Sequence, residues 1–518
     1  MTEIVESIRP LLAILCPAIG SILIILFGRR PNIRESWTML ASITQFLLII
    51  SMAPLIVRGA VIKFTPFTVF PGIDFGFRVD AFGLIFAITS SFLWICVSLY
   101  SIGYMRPLHE HAQTRYYFCF AWAIFGAVGV ALAGNLLTMF VFYEILTVST
   151  YPLVAHDQTD EALFAGRKYL AYLLTAGCFF LAAVILTYYL TGGYAPPGTT
   201  DFESGGITSL KSAFYAGYVS RMMLTVLFFC FILGFMKAAW MPFHSWLPTA
   251  MVAPTPVSAL LHAVAVVKAG VFGILRMVCY VYGVDLMHAL GLGLVLACIA
   301  GFTIIVANLF AIGEDNLKRR LAYSTINQLS CIILGAALLT RDAIQGAMIH
   351  IPFHGAMKIT LFMCAGAIIV VTGKRNVSEM SGIGRTMPIT MAAFSIGAFG
   401  MCGLPPIAGF ISKWYLCLGA IESSETIAPE MIIFLFVLLA ASLLDVVYFF
   451  PIIRTAFFSK PNKSESESKG GEWKEKKHLF MVVPLLITAI LAILFCLDPH
   501  AFYVFDLVKV AVANLGGV

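Results

Sequence analysis

Charge is what this sequence has least of. Of 518 residues only 12% are Asp, Glu, Lys or Arg, while 60% are hydrophobic. So few charges cannot cover a water-soluble chain of this length, which leaves an all-α polytopic membrane protein as the expected class. Paired cysteines are missing as well. The twelve cysteines stand singly, as at Cys96, Cys230, Cys364 and Cys496, and none forms a CxxC pair. That spacing argues against disulfides or thiolate metal sites and leaves small packing residues. No phosphate loop, nucleophile–base pair or dinucleotide fingerprint occurs, so no ATP or NADH site, catalytic residue or cofactor is expected. The net charge of +6 comes from loop lysines and arginines and does not point to nucleic acid. The first apolar run, 11–27, lacks a small-residue cleavage site and reads as a spanning helix rather than a removable leader.

What is abundant is apolar sequence in windows long enough to cross a bilayer, roughly 17–25 residues each. About fourteen can be drawn: 8–28, 36–57, 79–102, 116–133, 135–155, 168–191, 222–247, 256–280, 288–312, 321–340, 343–371, 388–418, 430–457 and 479–498. The longest polar stretches are 191–221 and 459–478. The second contains Ser464-Glu-Ser-Glu-Ser-Lys-Gly-Gly471, a low-complexity charged linker with nothing to bury. The closing stretch 499–518 is short and mixed, and reads as an interfacial tail. Lysine and arginine concentrate after odd-numbered windows, as at Arg29, Arg30, Arg106, Arg115, Arg167, Lys318, Arg319 and Arg375. Connections after even-numbered windows carry fewer, among them Arg58, Lys63, Arg78 and Lys211. That bias puts the odd connections in the cytoplasm and both termini on the opposite side.

The charges that remain inside windows are therefore informative. Lys237 is the only charged residue between Arg221 and Lys268, and Glu144 the only one between Arg115 and Asp157. Lys358, Lys413 and Asp445 are equally isolated in their windows. A lysine at bilayer depth costs about 2.5–3.5 kcal/mol on insertion scales, so six such residues are not accidental. Two readings overlap: internal salt bridges that order the bundle, or a proton relay. Burial and a nearby carboxylate act oppositely on an amine's proton affinity, so moving the carboxylate moves the proton.

Two of the lysines accompany helix breakers. Lys237 precedes Pro242 and Pro248, and Lys413 follows Gly403-Leu-Pro405-Pro406-Ile-Ala-Gly409. Proline removes a backbone donor and clashes with the preceding turn, so neither window can be one regular helix. Broken helices beside buried charge are how membrane proteins build ion sites. His350, His354 and Lys358 are spaced four apart, on one helix face. The histidine pair could bind a metal, but no acidic or thiol ligand accompanies it; a hydrated proton-conducting stripe is the expectation, and no metal. His262, six residues before Lys268, can join the same path. His244, at the first break, is expected to line a water cavity.

Four stretches now carry a resemblance: Met236-Lys-Ala-Ala-Trp-Met-Pro-Phe-His-Ser-Trp-Leu-Pro248, Ala253-Pro-Thr-Pro-Val-Ser-Ala-Leu-Leu-His262, Lys318-Arg-Arg-Leu-Ala-Tyr-Ser-Thr-Ile-Asn-Gln328 and Gly403-Leu-Pro-Pro406. Together they resemble the proton-translocating antiporter-like membrane subunits shared by respiratory complex I, membrane-bound hydrogenases and Mrp-type cation/proton antiporters. The resemblance runs from Val79-Asp80 to about Phe458. It implies fourteen helices, two inverted five-helix repeats, and broken seventh and twelfth helices. The implied division is 1–115 for three N-terminal helices, 116–280 and 281–458 for the repeats, 459–478 for the linker, and 479–518 for a last helix and tail. Glu144 then matches the fifth-helix glutamate that modulates Lys237, and Lys268 the eighth-helix lysine of the connecting axis. His350, His354 and Lys358 match the eleventh-helix stretch, and Lys413 the twelfth-helix position. Asp445 is a departure, where a neutral polar residue is expected. Lys413 within Gly409-Phe-Ile-Ser-Lys-Trp-Tyr-Leu416 is most similar to the Mrp D-type subunit.

The expected function is the proton-translocating subunit of a multisubunit Mrp-type antiporter in a bacterial or archaeal plasma membrane, with other membrane subunits as partners and sodium as the first candidate cation. The alternative is the same role in a complex I-like or hydrogenase complex. An inert structural scaffold and a stand-alone solute carrier are the remaining classes.

Overall fold

The structure is a computed structural model that describes residues 3–459 and 474–515. The low-complexity 464–471 stretch lies outside them. The chain runs through α1 (Arg9–Leu26), α2 (Pro31–Ile50), α3 (Ala81–Met105), α4 (Gln113–Ala131), α5 (Leu136–Val154), α6 (Asp160–Gly192), α7 (Arg221–Gly234) and α8 (Thr255–Tyr282). It continues through α9 (Leu292–Gly313), α10 (Leu317–Ala337), α11 (Arg341–Thr372), α12 (Pro388–Cys402), α13 (Gly409–Thr426), α14 (Ile433–Phe458), α15 (Leu479–Leu497) and α16 (Val504–Ala513). Among the described residues, ten helices are long and apolar enough to cross a membrane. The other apolar windows hold helices that are shorter or more polar, including the broken ones. Helix starts follow local chemistry: Asp80, Asn135, Thr159, Ser220 and Asn316 each accept a hydrogen bond from a first-turn N–H, filling donors a helix leaves open.

The bundle is layered by burial. α8 is buried along its whole length, and α3 and α11 along most of theirs, whereas α1, α2, α6 and α14 turn most of their surface outward. The outward faces carry Ile22, Leu47, Ile185, Phe302, Phe436 and Leu443, a girdle suited to lipid contact. The central helices are the ones that carry Lys268, His350, His354 and Lys358, so the most polar cargo sits furthest from lipid.

Three findings depart from the sequence reading. Residues 61–79 are not featureless loop. β2 (Val61–Phe70) and β3 (Ile73–Val79) pair antiparallel, and β1 (Ile4–Glu6) adds to β2 in parallel. The Val-, Thr- and Phe-rich composition favours strand, and Pro71-Gly72 turns the hairpin, with Gly72 at φ +79°. The end of the polar linker is docked, not solvated. Glu475 is buried and accepts from the Ile389 and Thr390 N–H groups at 2.8 and 3.0 Å, capping the start of α12. The tail contains α16, too short to span, which packs against α3 and α11.

The connections sort onto two faces. Residues 105–110, 157–161, 314–319 and 374–376, all after odd-numbered windows, surround one cavity. The connections after even-numbered windows meet on the opposite face. There Phe77 bridges Ala133, Asn135 bridges Asp201, and the Glu203 N–H donates to the Tyr280 carbonyl. A bidentate ion pair, Arg276 to Asp80 at 2.5 and 2.8 Å, closes that face beneath Phe82, Phe202, Phe272 and Tyr280.

Candidate proton-translocation site

The first lysine sits inside a helix break, not ahead of one. α7 stops at Gly234, and Lys237 occupies a single 3-10 turn, Met236–Ala238, closed by Ala239 at φ +56°. The break therefore begins several residues before Pro242. The clash of a proline ring reaches back four residues and the residue before it leaves the helical region, so the helix must end early. Lys237 is fully buried. Its Nζ donates to the Tyr143 carbonyl and lies 3.3 Å from the centroid of the Tyr143 ring. Glu144, the next residue on α5, makes no ion pair with Lys237, and its Oε1 is buried without a hydrogen bond. Its carboxylate faces Gly177 of α6, where a Cβ would fall 2.5 Å from Oε1.

The central lysine lies on a helix whose interruption the sequence did not announce. Within α8, Leu260–Val264 forms a π turn and Ala265 leaves helical geometry at φ −123°, ψ −74°. Ser90 Oγ donates to the Val264 carbonyl at 3.1 Å, satisfying an acceptor in the distorted turn. Such bulges concentrate at functional sites. His262 stands in the π turn, fully buried, with neither ring nitrogen hydrogen-bonded. One turn beyond the distortion, Lys268 Nζ is 2.7 Å from His354 Nδ1. Gly270 lets the Lys237 turn lie against α8: a Cβ there would be 2.2 Å from the Ala238 nitrogen.

From Lys268 a polar line runs to the second break. His354 stacks on His350 at 5.7 Å between ring centroids. His350 Nδ1 meets Ser412 Oγ at 2.8 Å, and its Nε2 meets Gln328 Oε1 at 3.1 Å. The Gln328 amide donates to Asp445 Oδ2 at 2.8 Å, and Lys413 Nζ donates to the same oxygen at 3.0 Å. Asn327 donates to Asp445 Oδ1 at 2.9 Å, and Tyr448 donates to it as well. Lys413 also donates to the Met401 carbonyl at 2.6 Å and to Ser442 Oγ at 3.1 Å. The second break makes this possible. α12 ends at Cys402, Gly403 takes φ +83°, Pro405 and Pro406 fill the gap, and α13 starts at Gly409 against the Gly400 carbonyl. Lys413 is one turn into α13.

The structure thus brings together Lys268, His354, His350, Asp445 and Lys413. It leaves three expected members aside. Lys358 donates to Ser324 Oγ at 2.9 Å and toward the Leu321 carbonyl, anchored to α10 and not to the histidines on its own face. His262 lacks a hydrogen bond, and Glu144 stands apart from its lysine. His244 packs on Phe310 and does not line the cavity, although Ser245, Pro248 and Thr249 beside it do. Both nitrogens of His350 and one of His354 have side-chain partners in the line, so the pair is not arranged as a metal site. Sequence reading missed Tyr143, Gln328, Asn327, Ser412 and Tyr448. Gln328 and Asn327 close the recognised Lys318–Gln328 stretch, and that was the available signal.

The cavity at the odd-numbered connections measures about 1180 Å³ and is walled by Asp157, Glu161, Lys168, Glu314, Lys318 and Arg375 among others. Lys168 reaches Thr249 at 3.0 Å and Lys318 reaches the Ala253 carbonyl at 2.5 Å, both on the segment between the first break and α8.

A buried axis of lysines, histidines and one aspartate, reached from two broken helices inside a polytopic bundle, defines a membrane protein built around ionisable groups at its core. A family profile described as NADH:quinone oxidoreductase/Mrp antiporter, TM, matches residues 133–441, and one described as NADH-Ubiquinone oxidoreductase (complex I), chain 5 N-terminus, matches 71–117. The chain belongs to the NADH:quinone oxidoreductase/Mrp antiporter transmembrane family. It is 32% identical over 412 residues to NADH-quinone oxidoreductase subunit N of Desulforudis audaxviator, covering 77% of each chain. It is 30% identical over 468 residues to a Na(+)/H(+) antiporter subunit of Alkalihalophilus pseudofirmus, covering 86% of this chain but 55% of that one. The chain thus spans about half the length of the antiporter relatives it matches. Its fold matches a chain of the Mrp complex from Dietzia sp. DQ12-45-1b with TM-score 0.81 at 20% identity, covering 98% and 97%. It also matches a chain of an archaeal membrane-bound sulfane sulfur reductase with TM-score 0.82 at 24% identity, covering 98% of each.

Proposed function

We propose that this chain carries protons within a multisubunit Mrp-type monovalent cation/proton antiporter, through the line Glu144, Lys237, Lys268, His354, His350, Asp445 and Lys413. The observation that carries the reading is the polar line from Lys268 to Lys413. Every step in it is a hydrogen bond except the histidine stack, and it crosses four helices at the most buried level of the bundle. Glu144 and Lys237 form the adjustable pair at one end and Lys413 with Asp445 the pair at the other. His262 and Lys358 flank the line as secondary proton holders. The division into 1–115, two inverted repeats at 116–280 and 281–458, a linker at 459–478 and a terminal unit at 479–518, with fourteen crossings, belongs to the same reading. So does a D-type branch, which rests on Lys413 within residues 409–416. The positive residues at the cavity favour its opening to the cytoplasm of a bacterial or archaeal cell, with both termini on the other side.

A second reading has its own support. The subunit N relative is covered over the same share as this chain, so a redox-driven complex of the complex I or hydrogenase type would use the same line. Mass spectrometry of the gently solubilised complex separates them: iron–sulfur or nickel-bearing subunits favour the redox pump, and small membrane subunits alone favour the antiporter. The function itself is tested in vesicles holding the assembled complex. Lys237→Ala and Glu144→Ala are each expected to lower proton-coupled transport at least about tenfold, the equivalent of 1.4 kcal/mol. Unchanged transport in both would overturn the proposal.

A further inference from the structure

Away from the buried line, one cluster of side chains has metal-ligand character. Glu110 and His111 lie in the connection between α3 and α4, and His156 lies just past the end of α5. One ligand atom from each falls within 4.8 Å of the others, the only such trio among the described residues. The rings of His111 and His156 are 4.8 Å apart, tilted by 32°. His156 is fully buried, yet neither of its ring nitrogens has a hydrogen bond. An imidazole in that state is unusual, because buried polar atoms nearly always find partners. Its backbone is held in place: the Arg115 guanidinium donates to the His156 carbonyl at 2.8 Å. The Glu110 carbonyl accepts from the Gln113 amide at 3.2 Å, leaving the Glu110 carboxylate free to turn.

We propose that Glu110, His111 and His156 form a binding site for a divalent cation of the Zn²⁺ class. Two imidazoles and one carboxylate are a donor set that suits zinc and related transition ions, with a coordination position left open. Zinc bonds of about 2.0–2.2 Å require the ligand atoms to close to roughly 3.3–3.5 Å of one another. His111 is exposed and Glu110 half-buried, so both can move onto the fixed, buried His156. Occupation would tie the α3–α4 connection to the end of α5, the helix that carries Glu144, at the rim of the cavity that Glu110 and Asp157 help to line. The site is independent of which complex the chain serves.

The test uses the chain with its co-purifying subunits, free of any affinity tag, titrated with Zn²⁺ alone against a chromogenic chelator. The wild type is expected to hold one more Zn²⁺ than His111→Ala at low-micromolar competition, with affinity falling at least about tenfold in His111→Ala and in His156→Gln. His109→Ala, in the same connection but outside the trio, is expected to bind as the wild type does. Because His111 is exposed, its variant keeps the test open if His156→Gln fails to assemble. Zn²⁺ should raise the thermal unfolding temperature of the wild type and not of His111→Ala. X-ray absorption should show a nitrogen and oxygen shell. Equal stoichiometry and affinity in wild type and His111→Ala, or a sulfur-containing shell, would overturn the proposal.

Discussion

The two broken helices hold the same problem, a buried ammonium, in opposite conditions. At the second break Asp445 is saturated: Lys413, Gln328, Asn327 and Tyr448 all donate to its two oxygens. At the first break the acid and the amine are apart. Lys237 is satisfied by a carbonyl and an aromatic face of Tyr143, while Glu144 keeps an unpartnered buried oxygen. A closed pair is held by neutral donors that cannot leave. An open pair, with a ring and a carbonyl standing in for the counter-charge, costs little to rearrange. The difference teaches that one half is built to hold charge and the other to exchange it.

The strongest way to break that comparison is to remove the acid from each site. Asp445→Asn leaves Lys413 with no counter-charge, and losing one partner of a buried pair costs about 3–5 kcal/mol. The assembled complex should melt markedly lower, and the paired change Lys413→Met with Asp445→Leu should restore stability without restoring transport. Glu144→Gln should change the melting temperature little, because no ion pair is lost, while still abolishing transport. Equal destabilisation by both single changes would show that the two sites are alike.

Gly270→Ala probes how the open site is positioned. The added methyl would meet the Ala238 nitrogen at 2.2 Å and the Lys237 carbonyl carbon at 2.6 Å, both backbone atoms that cannot swing away. Overpacking of this kind typically costs about 1–3 kcal/mol. Transport should fall with stability, and a variant with wild-type transport would mean the Lys237 turn tolerates displacement. The smallest effect is expected from Tyr143→Phe. It removes only the hydroxyl that donates to the Gly234 carbonyl at 3.1 Å and leaves the ring and carbonyl that hold Lys237. A loss near 1 kcal/mol in stability with transport retained would assign the role to the ring and backbone; lost transport would assign it to the hydroxyl.

The isolated charges and the prolines were readable in the sequence because hydrophobic surroundings make any ion conspicuous. Lys237, Lys413 and Asp445 stood out for that reason alone. The pairing of Asp445 with Lys413 was not readable, since the two lie on different helices and only packing brings them within 3.0 Å. The neutral members of the line stayed hidden as well. Gln328 and Ser412 are ordinary polar residues until a histidine faces them. The π turn at 260–264 has no composition signature, because its apolar residues suit a regular helix equally well. The hairpin at 61–79 did carry a signature in its β-branched and aromatic residues, which a reading tuned to hydropathy overlooks.

The 1180 Å³ cavity has an electrical consequence. A space of that size with charged walls admits water, and water carries the potential of its own side inward. The opposite face is closed by the hairpin and the Arg276–Asp80 pair. The voltage across the membrane therefore falls mostly over the layer between the cavity floor and that closed face, instead of evenly across the full thickness. Each elementary charge crossing that layer exchanges about 2.3 kcal/mol per 100 mV. A short displacement between neighbouring groups there couples to a large share of the membrane potential.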